Sequence, residues 1–190
     1  MPSKRWVPQG RRDSGAVAVE TAAVSLFLII LLAGIVESSF LFKDWIGVSA
    51  AARAGARMGA SEPRSATFAL DSASQVVNAM SAMDPAKIQA VWVYKTSSVT
   101  GLPDSGSFSS CNACVKFVWS TGSHSLVQAS GNWPSTSQNA CAGDPARDSL
   151  GVYVKYGHTS PLKFFFTGKT LTESTVMWIE PITSTSICKP

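Results

Sequence analysis

Glu20 is the residue whose chemistry most needs a partner. It stands directly before Thr21–Val36 (TAAVSLFLIILLAGIV), a run of sixteen residues without a charge. An acidic side chain at the centre of a bilayer costs about 2.5–3.5 kcal/mol, and less near the interface. Four positions earlier stands Ala16, preceded by Gly15. A cut after Gly15 would give Ala16 a free α-amine, whose unperturbed pKa of about 8 leaves it mostly protonated at neutral pH. The four-residue spacing sets that ammonium on the same helix face as Glu20. The amine of a neighbouring copy is the other group that could neutralise it.

Sulfur chemistry comes next. Cys111, Cys114, Cys141 and Cys188 all follow the apolar run. An even number of cysteines in an oxidising compartment suggests two disulfides, for which three pairings exist. Cys111 and Cys114 are each expected to reach Cys141 or Cys188, so that Cys141 and Cys188 fall in separate bridges; long loops gain more from closure than a local one. A redox C-x-x-C would want a helix N-terminus to lower its thiol pKa, whereas a strand pattern follows Cys114. A zinc site from these thiols with His124 or His158 has no recognisable ligand spacing. Both histidines sit in turn-like segments, where surface exposure is the simpler expectation. The chain carries no Gly-rich phosphate loop, no H-E-x-x-H and no G-x-S-x-G. No catalytic residue, metal or cofactor is expected, and the chain reads as non-enzymatic.

The elements that would position these groups follow from charge and hydropathy. The chain has 190 residues, 45% hydrophobic and only 15% charged, which suits about one domain. Residues 1–15 hold Lys4, Arg5, Arg11 and Arg12 against Asp13, net +3 of the whole chain's +4. A nucleic-acid binder would spread its basic residues over a folded face; here they flank an apolar run, so no nucleic-acid partner is expected. Basic residues before the run predict a cytoplasmic N-terminus and an exported bulk. Sixteen residues make about 24 Å of helix, short of the roughly 20 residues of a span. The run reaches that length by taking in Ala16–Val19 or Ser38–Phe42, giving a membrane half of about residues 16–42. A secretory signal peptide fits poorly, because small-residue sites such as Ala50–Ala52 lie well beyond the run.

Beyond the run, KDWIGVSAAARAGARMGA is rich in Ala, so the helix is predicted to continue to Ala60, about 68 Å in all. Ala51, Ala52, Gly55, Ala56 and Gly59 would let another element approach closely. Arg53 and Arg57 share a face, most simply a solvated one. Pro63 is predicted to open a second helix whose apolar residues run from Ala66 to Met80, ended at Met83-Asp84-Pro85. The period then changes to two. Strands are predicted at Ile88–Lys95, Cys114–Ser120, Gly151–Gly157 and Ser174–Glu180, joined by long connections at Ser97–Ser110, Thr121–Ser149 and His158–Thr172. Two helices followed by about four strands give an α+β fold with an antiparallel sheet laid on the outer half of the long helix. Phe164-Phe165-Phe166 is expected in the core; the alternative is an exposed aromatic patch, which would be a contact site.

At its start the chain resembles the type IV pilin superfamily. The match is a basic leader with Arg11 and Arg12 near its end, a final Gly15, then A-V-A-V-E and a long apolar run. The longer string from Gly15 to Ala60, GAVAVETAAVSLFLIILLAGIVE followed by AARAGARMGA, is similar to the TadE-like minor pilins of tight-adherence (Tad) pili. Many type IV pilins begin the mature chain with Phe, and this one would begin with Ala16, a position that varies in Tad-type subunits. The resemblance implies a leader, residues 1–15, removed by a prepilin peptidase between Gly15 and Ala16. It implies an assembly role for Glu20. Arg53 and Arg57 would then meet acidic groups on neighbouring subunits. The implied partners are other pilin and minor pilin subunits, the Tad pilus assembly platform and the cytoplasmic membrane. The implied product is a minor pilin or pseudopilin, anchored by one span with its 61–190 domain exported, or at the cell surface once assembled. The alternative is a membrane-anchored exported domain that binds a ligand or partner and never enters a filament.

Overall fold

A computed structural model describes residues 13–97 and 100–183. The leader residues Lys4, Arg5, Arg11 and Arg12, and the expected bridge residue Cys188, lie outside them. Helix α1 is one unbroken element, Asp13–Ser61, with no glycine or proline break despite Gly34, Gly47, Gly55 and Gly59. Its two halves differ in what surrounds them. Val17, Val19 and the large apolar residues from Val24 to Val36 are exposed. From Glu37 onward a single stripe is covered: Glu37, Leu41, Asp44, Val48, Ala51, Ala52, Gly55, Ala56, Gly59 and Ala60. These recur at steps of three and four, the period of one helix face.

Helix α2 is Phe68–Ala79 and crosses α1 at its small residues. A Cβ on Gly55 would lie 2.5 Å from Val76 Cγ2 and 2.9 Å from the Ser72 carbonyl oxygen. The glycines let the two backbones come close enough for Ser72 Oγ to donate to the Gly55 carbonyl at 2.8 Å. The predicted start of α2 at Pro63 is not where the helix begins. The chain instead turns through Glu62–Thr67, with Arg64 at φ 60°, a conformation no helix contains. Arg64 N–H and its guanidinium are bound by Gln138 Oε1 and the Gln138 carbonyl at 2.6 and 2.9 Å, which holds that turn.

The sheet has five antiparallel strands, in the order β3-β2-β1-β4-β5. They are β1 Ile88–Lys95, β2 Cys114–Ser120, β3 Ser125–Asn132, β4 Ser149–Thr159 and β5 Gly168–Trp178. The α+β expectation holds, and β1 and β2 have the predicted bounds. β3 falls within the segment expected to be a connection. Its sequence, SLVQASGN, is almost wholly exposed, so it has no apolar alternation to show. Backbone pairing from Ser120↔Ser125 to Cys114↔Asn132 makes it a strand. β5 begins six residues before the predicted Ser174, because Lys169–Glu173 pair with Val154–His158 at the growing end of one long hairpin. One sheet face supplies Val91, Val93, Val115, Phe117, Val152 and Val154 to the core, against Val48, Ala52 and Ala56 of α1 and Phe68 and Val76 of α2. On the other face Phe108 packs on Trp92, Tyr94 and Tyr153, with ring centroids 4.6–5.3 Å apart.

Candidate functional site

Gly15, Ala16 and Glu20 lie together on the exposed N-terminal half of α1. A Cβ at Gly15 would touch nothing among the described residues within 4 Å, so there is space for a side chain there. Glu20 is exposed and makes no hydrogen bond or ion pair with any described residue. A carboxylate at the start of an apolar run, with nothing among the described residues to neutralise it, leaves that task to another group. The surface around it is the large uncovered apolar face of the molecule: Val17, Val19, Val24, Leu26–Leu32, Ile35 and Val36. The helix is long and apolar enough to cross a membrane, and its most apolar window is uncovered by the rest of the fold.

The second acidic residue of this region has the opposite setting. Glu37 is 0% exposed, although its place in the sequence marks only the end of the apolar run. Its Oε1 accepts from Ser160 Oγ at 2.5 Å and Phe164 N–H at 2.7 Å. Its Oε2 accepts from Phe165 N–H at 2.9 Å. The donors all come from the loop joining β4 to β5. Two turns further, Asp44 Oδ2 meets His158 Nδ1 at 2.7 Å, and the adjoining Trp45 Nε1–H donates to Glu173. Polar ties thus continue the stripe that Val48, Ala51 and Ala52 begin, and they fix the β4–β5 hairpin along α1. The seven-residue step from Glu37 to Asp44, in register with the buried small residues, was the available sequence signal.

Three expectations about side chains are corrected here. His158 is 4% exposed on the end of β4 rather than in a surface turn, because Asp44 draws it inward; His124 is exposed, at φ 49°. Phe164 and Phe165 are 62% and 55% exposed rather than core. The loop backbone turns toward α1, since Glu37 takes the N–H groups of Phe164 and Phe165, and the rings are left outside the core. The cysteines also differ. Cys111 bonds Cys114, with Cα atoms 5.9 Å apart, well inside the usual range of about 4.4–6.8 Å. The short turn Phe108–Ser110 folds Cys111 back over the start of β2. Cys141 is disulfide-bonded as well, and lies beside the C-terminal segment through its bridge to Ile182. Asn139 organises this loop: its Oδ1 accepts from Cys141 N–H at 3.2 Å, and its Nδ2 donates to Asp144 at 2.8 Å and to the Ala146 carbonyl at 3.1 Å. The donors on Asp144, the Asn139 amide first and then the Ala146 N–H, hold its carboxyl below the ordinary aspartate range.

Arg53 and Arg57 are exposed or partly so, and Arg53 donates to Ser49 within its own helix at 2.8 Å. Among the described residues no group of histidine, cysteine and acidic side chains is placed to hold a metal ion.

Residues 15–57 match the family model of the TadE-like proteins. The matched segment is α1 almost from end to end, and it includes Gly15, Ala16, Glu20, Glu37 and Asp44. Over these residues the chain is similar to TadE-like proteins. No curated protein and no solved structure matches the chain.

Proposed function

We propose, with the TadE-like segment as premise, that the chain is a minor pilin or pseudopilin. It is a non-enzymatic structural subunit that assembles or primes a Tad-type pilus used in adhesion. The observation that carries this reading is Glu20, a carboxylate without a partner among the described residues on an uncovered apolar helix, inside the matched segment. A prepilin peptidase removes residues 1–15, and α1 then holds the subunit in the cytoplasmic membrane with its N-terminus inside. The new ammonium of Ala16, on the subunit itself or on a neighbour, neutralises Glu20. Removing the carboxylate leaves a more apolar helix, which inserts at least as well. Glu20→Ala is therefore cleaved, accumulates in the membrane, and fails to support piliation. The test is a paired measurement of membrane level, mature N-terminus and surface pilus number in a strain lacking the native copy. Normal piliation by Glu20→Ala removes the role of Glu20, and an unprocessed N-terminus in the wild-type chain removes the pilin reading in favour of a plain membrane anchor.

A further inference from the structure

The β4–β5 loop raises a question that its own hairpin does not answer. The connection Ser160–Thr167 carries Leu162, Phe164 and Phe165 at its tip, each half-exposed or more. Such a tip on a water-facing hairpin would be polar, with its N–H groups hydrated. Here the N–H groups of Ser160, Lys163, Phe164 and Phe165 are taken internally. Glu37 accepts from Phe164 and Phe165, the Ser160 N–H donates to the Thr167 carbonyl at 3.1 Å, and the Lys163 N–H donates to Ser160 Oγ at 3.3 Å. A buried carboxylate is a costly way to bind N–H groups that water would serve. It suits a loop that water does not reach, because backbone polar groups in lipid must be satisfied within the protein.

The depth of the loop agrees. A Cβ on Gly34 would lie 3.3 Å from Phe165 Cε2, so the Phe165 ring rests on α1 at Gly34. A span of about 20 residues begun at Val17 ends at Val36. Gly34 then lies about 3 Å inside the outer boundary at about 1.5 Å per residue. The exposed Phe40, Phe42 and Trp45 follow immediately on the helix, where aromatic side chains sit at a membrane–water interface.

We infer that Leu162, Phe164 and Phe165 of this tip form a second membrane contact, immersed in the outer leaflet beside α1, with Glu37 binding the backbone and the exposed Lys163 reaching up to the headgroups. The occupant of this patch is lipid acyl chain, because the apolar surface of the tip is continuous with that of the spanning helix. The domain therefore has two attachments to the bilayer, the helix and the loop, which fix its tilt and its rotation about α1. This inference rests on α1 spanning a membrane and not on the pilus reading.

The test uses the full chain in vesicles of phosphatidylcholine and phosphatidylglycerol. A benzophenone amino acid replaces Phe164 or Phe165, Leu28 as a position within the span, or Thr136 as an exposed position in the turn after β3. Irradiation yields lipid adducts at positions 28, 164 and 165 and none at 136. Adducts at 28 without adducts at 164 and 165 overturn the loop contact and leave the anchor standing. No adduct at 28 overturns the spanning helix, and the loop contact with it. Adducts from 164 or 165 to a second copy of the chain assign the patch to self-association and overturn the proposal. Phe164→Trp provides an independent readout: the emission it adds over wild type is lost in vesicles of chain-brominated lipid, and retention of that emission overturns the contact.

Discussion

Gly55→Ala sets two well-characterised effects against each other on a single helix. Alanine in place of glycine in a helix interior stabilises by about 1 kcal/mol. On an open face that gain would stand alone. At Gly55 the new methyl lies 2.5 Å from Val76 Cγ2 and 2.9 Å from the Ser72 carbonyl oxygen, with Val152 Cγ1 at 3.4 Å. Optimal carbon–carbon contact is about 3.5–4.0 Å, so α2 must retreat by about 1 Å. The Val76 methyl can turn; the Ser72 carbonyl is backbone and cannot. Overpacking costs about 1–3 kcal/mol, and contact on several sides puts this site near 3 kcal/mol. The retreat also stretches the Ser72–Gly55 hydrogen bond. The expected net loss is about 2 kcal/mol, and at about 2–4 °C per kcal/mol for a chain of this size the midpoint falls by about 4–8 °C. Thermal unfolding of the full chain in detergent, followed by tryptophan emission, measures it. Adding Val76→Ala to Gly55→Ala should give a smaller loss than the sum of the two single changes, because the valine methyl and the new methyl compete for one space. A midpoint for Gly55→Ala equal to or above wild type would refute the close crossing of α1 and α2.

Gly15→Leu should leave the precursor uncut in cells, since a bulky side chain there bars close approach to the backbone; intact mass of the membrane form reads it, and a mature mass in the mutant would remove Gly15 from the processing site. Peptide mapping without reduction should return Cys111 and Cys114 joined to each other and no free thiol. Cys141 should appear joined to Cys188, and a Cys111–Cys141 or Cys114–Cys141 peptide would contradict that pattern. Asp144 has its native pKa lowered by Asn139 and Ala146, so its contribution to stability is present above the unfolded value of about 4 and is lost as pH falls through the native one. The Asn139→Ala chain should lose less stability on acidification than wild type between about pH 5 and about 2; parallel pH titrations of the two midpoints would expose an error as identical slopes.

The legible parts of this molecule are those that bury side chains in a regular pattern. The charge-free run announces the uncovered half of α1, and the alternation in IQAVWVYK and CVKFVWS marks β1 and β2 to the residue. The small-residue stripe from Ala51 to Gly59 is legible as a place of close approach, and α2 and the sheet do meet it. β3 is hidden because its stabilisation is backbone pairing on an exposed edge, which leaves no imprint on hydropathy. The start of α2 is not readable at Pro63 because Gln138, 74 positions beyond Arg64, captures it and holds a turn there. The triple phenylalanine reads as core on composition alone. Only the carboxylate of Glu37 shows that the backbone of that loop faces inward. Gly15, Ala16 and Glu20 stand out because a charge next to an apolar run is conspicuous. Glu37 and Asp44 share the buried face by their seven-residue step, but their partners stand at the far end of the chain, and no local pattern names those partners.

That separation bears on the order in which the molecule can be made. Glu37 lies 123 positions before Ser160, and Asp44 lies 114 before His158. At synthesis rates of about 5–20 residues per second, the ribosome needs about 6–25 s to supply the donor that Glu37 awaits. Throughout that interval α1 exists with a bare carboxylate at the C-terminal end of its apolar half. Neither α2 nor the first three strands can relieve it. The docking of the hairpin onto α1 therefore waits until most of the chain has been made, and a nascent chain released before Ser160 would keep an unclosed Glu37.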